Sequence, residues 1–258
     1  KGARTGLITT RGFRDVLEIR NLRMPKLYDL RWQKPAPLIE RYLRLVVDER
    51  IDAGGNVQRP LERHDAERAV DRLTAEGVEA IAVCLINSYA NPAHERLIAE
   101  VIAERAPDLP FCISYDVLPE IKEYERTSTT VVNTYVMPVV SKYLKTLRAG
   151  LDDRKIEAPL LLMQSNGGLT TGEEAGQKPV NIVESGPAAG VVGAHAVATR
   201  SGYRDVISFD MGGTTAKASL IENGAFTRTS EHSVGGGIMI GSRLLTGGGY
   251  LLKVPAID

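Results

Sequence analysis

The sequence predicts an α/β fold. Strand-like and helix-like segments alternate along almost the whole chain, and the continuous apolar run Val78 to Ile86 suits a strand covered on both faces. Several strands also end in glycine-bearing turns, among them Asp210-Met211-Gly212-Gly213-Thr214-Thr215. No fixed-period repeat or low-complexity tract interrupts the alternation.

Taken in order, Thr5 to Thr10 reads as a strand, and Gly12 to Ile19 as a short helix with Phe13, Val16 and Leu17 on one face. The polar, Pro-bearing stretch Arg20 to Pro37 reads as an irregular connection. Leu43 to Arg50 is expected as a strand that turns back at Asp52-Ala53-Gly54-Gly55-Asn56. His64 to Glu76 spaces Ala66, Ala69, Val70 and Leu73 at helical intervals and stops at Gly77. After the 78–86 strand, Asn91 caps a helix from Pro92 to about Ala106, and Phe111 to Tyr115 is the next strand. This is a βαβ unit with parallel strands. Glu120 to Leu151 is a long helix that Pro138 must kink or break. Strands follow at Leu160 to Gln164, ending in Ser165-Asn166-Gly167-Gly168, and at Val180 to Val183. A small-residue helix then runs to about Thr199. Val206 to Phe209 leads into the Asp210 turn, and Ala216 to Thr229 folds back on the Asn223-Gly224 signal, making 206–229 an antiparallel hairpin segment.

The chain has 258 residues, enough for a large core, and its 32 Lys and Arg balance 32 Asp and Glu. A nucleic-acid module would show a basic surplus, so nucleic acid is not an expected partner. The longest apolar run is far shorter than the ~20 residues of a membrane span, so no membrane partner is expected either. Cys84 and Cys112 lie inside apolar runs without a CxxC pair, which suits two buried thiols in a reducing, cytoplasmic setting. The first and last residues, Lys1-Gly2-Ala3-Arg4 and Val254-Pro255-Ala256-Ile257-Asp258, look cut from something longer.

Chemistry concentrates at Asp210. A buried strand delivers a carboxylate to its C-terminal end, and two glycines then let backbone N–H groups approach a ligand. Such a turn can hold phosphate oxygens while the carboxylate holds magnesium or orients water. An ordinary turn with a structural Asp is the competing reading. Upstream, Glu184-Ser185-Gly186-Pro187-Ala188-Ala189-Gly190 opens the small-residue helix. This order of helix, strand, D-x-G-G turn and hairpin resembles the actin, sugar-kinase and heat-shock-chaperone ATPase superfamily, an α/β actin-like (ribonuclease-H-like) ATPase fold, here with an inserted α/β subdomain.

Longer blocks resemble the hydantoinase A and 5-oxoprolinase family over essentially the whole chain. They are Thr5-Gly6-Leu7-Ile8-Thr9-Thr10, Gly12-Phe13-Arg14-Asp15-Val16-Leu17, Asn91-Pro92-Ala93-His94-Glu95, Glu123-Tyr124-Glu125-Arg126-Thr127-Ser128-Thr129, Gln164-Ser165-Asn166-Gly167-Gly168 and Ser185-Gly186-Pro187. The resemblance implies an ATP-dependent amidohydrolase that opens cyclic amides such as 5-oxoproline or N-methylhydantoin. It implies ATP and magnesium as cofactors and a hydantoinase B-type subunit as partner. Related subunits serve acetone-type ketone carboxylases, and a non-catalytic actin-like ATP-binding domain is the third reading. In this frame residues 1–184 are the remainder of a first lobe with the inserted region, 185–203 the interlobe helix, and 204–258 the opening strands of a second lobe. The family's first phosphate turn is expected before Lys1 and its adenosine-side segment beyond Asp258. As an internal fragment the chain is therefore expected to be inactive alone and to bind ATP more weakly than ~1 mM.

Within that frame Asp210 is the catalytic, metal-holding carboxylate, and Gly186, Gly212, Gly213, Thr214 and Thr215 cradle phosphate. The family turn commonly continues D-x-G-G-T-S-T-D, whereas Lys217 stands here in place of the second carboxylate; it either meets phosphate or faces outward from the hairpin. Ser165 and Asn166, at a strand end, and Arg126 and Thr127, polar on an apolar helix, are candidates for lining the substrate cleft. Packing within the helix explains Arg126 and Thr127 as well. Gly247-Gly248-Gly249, within Ser242 to Tyr250, reads as a surface turn or a nucleotide loop. His64, His94, His195 and His232 share no metal-ligand spacing.

Overall fold

The computed structural model describes residues 2–21, 28–213, 216–235 and 248–257. They divide into two units, Lys1–Val140 with Ser233–Lys253, and Ser141–His232 with Val254–Asp258. No helix among the described residues is long and apolar enough to cross a membrane.

The first unit is organised by a parallel sheet. Its chain runs β1 (Thr5–Thr10), α1 (Val16–Ile19), β2 (Arg44–Val47), the short pair β3 (Arg50–Ile51) and β4 (Val57–Arg59), α2 (Arg63–Ala75), β5 (Ala80–Cys84), α3 (Ala93–Arg105), β6 (Phe111–Ile113), α4 (Ser114–Val117) and α5 (Glu123–Asp152). The sheet order is β2-β1-β5-β6, all parallel, with Leu7 opposite Arg44, Gly6 opposite Ile81, and Ile81 opposite Phe111. All residues of β1 and β5 are buried, as expected of strands covered on both faces. Helix α2 buries the stripe expected from its spacing, Ala66, Ala69, Val70 and Leu73, and ends before Gly77, whose φ of +70° is the left-handed backbone a C′ glycine supplies. A Cβ at Gly6 would lie 2.7 Å from a Leu73 methyl, so the helix sits directly on the strand.

Several boundaries differ from expectation for identifiable reasons. The first helix begins at Val16, not Gly12, because Gly12 takes φ +94° and completes a turn. The strand expected over Leu43 to Arg50 is divided: Arg41–Leu43 is a 3-10 turn, and pairing resumes at Arg50. Strand β6 stops at Ile113 because the Ser114 hydroxyl and the Tyr115 N–H turn to the buried carboxylate of Glu95. Asn91 does accept an N–H at the start of α3, that of Ala93 at 3.0 Å, with Pro92 at the cap position. Helix α5 is not broken; it is continuous through Pro138, and its residues are divided between the two units after Val140. One missing N–H is tolerated in a helix of 30 residues that buries Val131, Met137 and Leu144.

In the second unit β7 (Leu161–Met163) and β8 (Leu169–Thr171) form an antiparallel hairpin, followed by α6 (Gly172–Gln177) and α7 (Ser185–Arg200). Val180 to Val183 is not a strand: Pro179–Ile182 forms a 3-10 turn, with Pro at its start and Val180 buried. Next come β9 (Val206–Met211), β10 (Ala216–Glu222) and β11 (Ala225–Phe226), a three-stranded antiparallel sheet reversing at Asn223 and Gly224, both with positive φ. Strand β12 (Arg228–Thr229) pairs with β15 (Ala256–Ile257) in this unit, whereas β14 (Tyr250–Leu252), the partner of β13 (His232–Val234), belongs to the first unit. The antiparallel arrangement expected for 206–229 is thus the observed one.

Candidate functional site

The register of β9 and β10 sets the site. Asp210 pairs with Lys217, Ser208 with Ser219 and Val206 with Ile221, so these side chains share one face of the sheet. Helix α7 packs against this face. A Cβ at Gly190 would lie 3.9 Å from the Asp210 Cβ, so the helix meets the strand through its smallest residue. At the other end of α7, the His195 ring lies 2.9 Å from the Gly224 carbonyl oxygen and edge-on to Phe226, fixing the helix to the hairpin.

The charges divide unevenly. Lys217 does not pair with Asp210, its neighbour across the ladder; its ammonium contacts the carboxylate of Glu184, the residue before α7. Glu184 is held there with left-handed backbone, φ 65° and ψ 19°. Burial pushes the Lys217 ammonium below its usual range. His232 lies close enough to feel that cation, and burial, foremost, pushes its imidazole down as well. Asp210 is exposed and makes no hydrogen bond or ion pair among the described residues.

Glycine at 212 and 213 is not demanded by the fold. Neither has positive φ, and a Cβ at either position would meet nothing within 4 Å among the described residues; the same holds for Gly186 at the start of α7. Bare backbone with open space in front fits the approach of a bulky anion. Thr214 and Thr215, the remaining members of the expected cradle, lie outside the described residues, as do residues 242–247 of the glycine-rich segment. Among the described residues no cluster of three or more His, Cys, Asp or Glu side chains could hold a metal alone. The single carboxylate of Asp210 could supply one ligand to a magnesium ion, with phosphate and water completing its shell.

The cleft candidates are engaged in the architecture. Ser165 is buried, and its hydroxyl donates to the carbonyls of Asn181, at 2.9 Å, and Val183. The Asn166 side chain accepts the Gly168 N–H at 2.7 Å within the β7–β8 turn. The sheet-edge argument for both fails, because their strand belongs to a two-stranded hairpin and not to an open parallel sheet. That turn packs on the middle of α7, where Gly167, φ +86°, faces Val192.

Arg126 and Thr127 lie in the interior of the first unit. Arg126 donates to the Ser88 hydroxyl at 2.8 Å and the Leu85 carbonyl at 2.5 Å, and its guanidinium faces the Tyr89 ring. Thr127 meets Cys84 Sγ at 3.2 Å. Beside them Glu95, fully buried, accepts from Leu85 N, Ser114 Oγ and Tyr115 N. A second buried pair joins His94 Nδ1 to Glu49 at 2.7 Å. Because His94 Nε2 accepts the Leu61 N–H, Nδ1 must carry the proton it shares with Glu49.

Sequence reasoning missed Glu184 as the partner of Lys217, and the two buried carboxylates Glu49 and Glu95. The signal for Glu184 was faint: an acidic residue directly before a helix that begins Ser-Gly-Pro.

Comparison with known proteins agrees along the whole chain. The Hydantoinase/oxoprolinase family profile matches residues 126–258, and the Hydantoinase/oxoprolinase N-terminal region profile matches residues 1–106. An uncharacterised protein of Methanocaldococcus jannaschii is 43% identical over 98% of this chain and 37% of its own length. Caprolactamase subunit alpha of Pseudomonas jessenii is 34% identical over 89% of this chain and 34% of its own length. The crystal structure of the ATP-dependent caprolactamase from that organism superposes with a TM-score of 0.80 at 31% identity, covering 100% of this chain and 36% of that one. A nucleotide-free structure of acetone carboxylase superposes with a TM-score of 0.83 at 26% identity, again over 100% of this chain and 36% of that one. The chain thus spans about a third of the length of these relatives, and the α/β, actin-like fold class expected from the sequence is the one observed.

Proposed function

Since the chain belongs to the hydantoinase/oxoprolinase family, we propose that it is part of an ATP-dependent hydrolase that opens cyclic amides, with the Asp210 turn as one half of its phosphate site. The observation that carries this reading is the pairing of an unengaged, exposed carboxylate at Asp210 with Gly212 and Gly213, which the fold itself does not require. A purely structural Asp would be bonded to its surroundings, as Asp52 is at its own turn, where it accepts from Gly54 N and Asn56 N.

In this reading magnesium is held by Asp210, and the N–H groups of Gly212 and Gly213, with Gly186, Thr214 and Thr215, surround the phosphates. The γ-phosphoryl group passes to the amide oxygen, releasing ADP. Water then adds at the amide carbon and the ring C–N bond breaks with a proton passing to the nitrogen, leaving an acyl phosphate; a second water hydrolyses it to carboxylate and phosphate. Little covalent work falls to the protein, so positioning and electrostatics supply the rate. Residues 1–184 would complete a first lobe, 185–203 the interlobe helix and 204–258 the start of a second. The remaining length seen in the relatives would supply the other phosphate turn, and a hydantoinase B-type subunit is the proposed partner.

The test is stoichiometry. The complete protein, supplied with magnesium-ATP and a panel of 5-oxoproline, hydantoins and lactams, should release ADP in step with ring opening of one of them. ATP consumption coupled instead to carboxylation of a ketone with bicarbonate would transfer the same site to the carboxylase branch of the family. Binding of ATP without either reaction would leave a nucleotide-binding domain.

A further inference from the structure

The face shared by β9, β10 and the start of α7 holds three charged groups whose pairing runs against the simplest geometry. Lys217 and Asp210 are directly opposed across an antiparallel ladder, where side chains of opposite charge sit with Cβ atoms ~5 Å apart and ordinarily attract each other. Here the ammonium is instead on Glu184, and Asp210 has no cation among the described residues. Glu184 is brought to that position by a left-handed backbone conformation, which a non-glycine residue adopts only at a cost.

Resting on the function proposed above, we infer that Glu184 is a positioning residue: by holding Lys217 it keeps that cation off Asp210 and leaves the carboxylate open to the magnesium of a bound nucleotide. Without Glu184, Asp210 is the anion directly opposite Lys217 across the ladder, and a lysine salt bridge there would compete with the metal for the same oxygens. Lys217 then acts as an internal inhibitor that Glu184 restrains. The arrangement also accounts for a lysine being tolerated beside a metal-binding aspartate, since its charge is already balanced.

The arrangement makes an unusual prediction about sign. In the complete protein, the magnesium concentration needed for half-maximal ATP binding should rise about two- to fivefold in Glu184→Gln, the range of a freed, partly exposed ion pair. Adding Lys217→Met to Glu184→Gln should bring the requirement back toward the wild-type value, because the competing cation is gone. Lys217→Arg in the same background should fail to restore it. Melting temperatures, recorded alongside, identify any variant whose fold has changed, and Glu184→Asp, which keeps the charge, serves as the folded control with near wild-type magnesium dependence. If the double variant is as impaired as Glu184→Gln, or if Glu184→Gln matches wild type, the positioning role is overturned while the nucleotide site stands. A wild-type protein that binds no magnesium-ATP overturns the proposed function and this role with it.

Discussion

Lys217 faces Asp210 across the β9–β10 ladder yet pairs with Glu184, so the carboxylate at the head of the glycine turn has no counter-ion among the described residues. Around it the other groups are committed. Glu184 holds Lys217, His195 holds the hairpin through Gly224, and Gly190 sets the helix against the strand. Under the proposed function, a frame whose other charges are already paired leaves one acid to meet a charged ligand, the arrangement that electrostatic preorganisation calls for.

Asp210→Asn follows from that arrangement. In the complete protein the substitution should lower ATP-coupled turnover by ~10² or more, the range for losing one preorganised electrostatic contributor. The melting temperature should not move, because the carboxylate makes no hydrogen bond or ion pair among the described residues. Steady-state kinetics and a thermal melt on the same preparation check both halves; a large fall in melting temperature with normal turnover would make Asp210 a structural residue.

What was legible in the sequence was whatever repeats with the period of its element. Ala66, Ala69, Val70 and Leu73 announced the buried stripe of α2, and Asn223-Gly224 announced the hairpin, because only a few residues accept positive φ there. The turn at 179–182 was not legible: a short apolar run such as Val180-Asn181-Ile182-Val183 carries no period, and Pro179 together with the burial of Val180 settled it as a 3-10 turn. Asp210 and its glycines could be put forward as a candidate site because their types and spacing are themselves chemical. Glu184 could not be read as a partner of Lys217, since the two are 33 positions apart and a single acid has no pattern. Arg126 looked like a cleft residue for the opposite reason. Polarity on an apolar helix marks either a binding site or a buried network, and only the bonds to Ser88 and Leu85 distinguish them.

That network yields a pH-dependent prediction. Burial pushes the Glu95 carboxyl above its ordinary range, while Arg126 and the hydrogen bonds from Leu85, Ser114 and Tyr115 oppose the shift. Arg126→Met removes a cation that opposes the upward shift of Glu95, together with the donors to Ser88 and the Leu85 carbonyl. The expected cost is about 1–3 kcal/mol at neutral pH, as for leaving buried polar groups without a partner. The sign with pH is fixed. A carboxyl whose folded value is raised holds its proton more tightly in the native state, so its stabilisation is complete below the unfolded value and is lost as pH rises through the folded one. The deficit of Arg126→Met relative to wild type should therefore be smaller at pH 4 than at pH 8 in urea titrations.

The thiols give a second pH window. Burial, foremost, pushes Cys112 from its ordinary 9.0 up to about 11 and raises Cys84 in the same direction. Since the thiolate is the nucleophile, neither residue should react with iodoacetamide at pH 8 in the native protein, and both should react fully in denaturant. Raised values also mean that stability present below pH ~9 is lost toward pH ~11, with the thiols protonated in the folded state and ionised in the unfolded one. Cys112→Ala should flatten that alkaline decline. Of the two thiols expected to be buried, Cys84 is buried and Cys112 only half-buried, so rapid native labelling at pH 8 would show that their thiolates form more readily than these environments allow.

The last prediction concerns the sheet face turned away from α7. The alternation that puts Val206, Ser208 and Asp210 toward the helix puts Ile207, Phe209 and Met211 on the other side, and the register adds Ala216, Ala218 and Leu220 beside them. Ile207, Phe209, Met211 and Leu220 are 69%, 66%, 72% and 57% exposed, a run of large apolar side chains in water that soluble chains ordinarily keep small. The 258-residue chain should therefore bind the dye ANS and be prone to self-association at high concentration. Replacing Ile207 and Phe209 together by Thr leaves a strand-favouring β-branched residue at both positions in place of an isoleucine and an aromatic, while removing most of the apolar surface. Dye fluorescence should fall and solubility rise, with stability changed by no more than about 0.5 kcal/mol per site, as for exposed positions. A loss of several kcal/mol in this chain would instead mean that the two side chains are packed inside it.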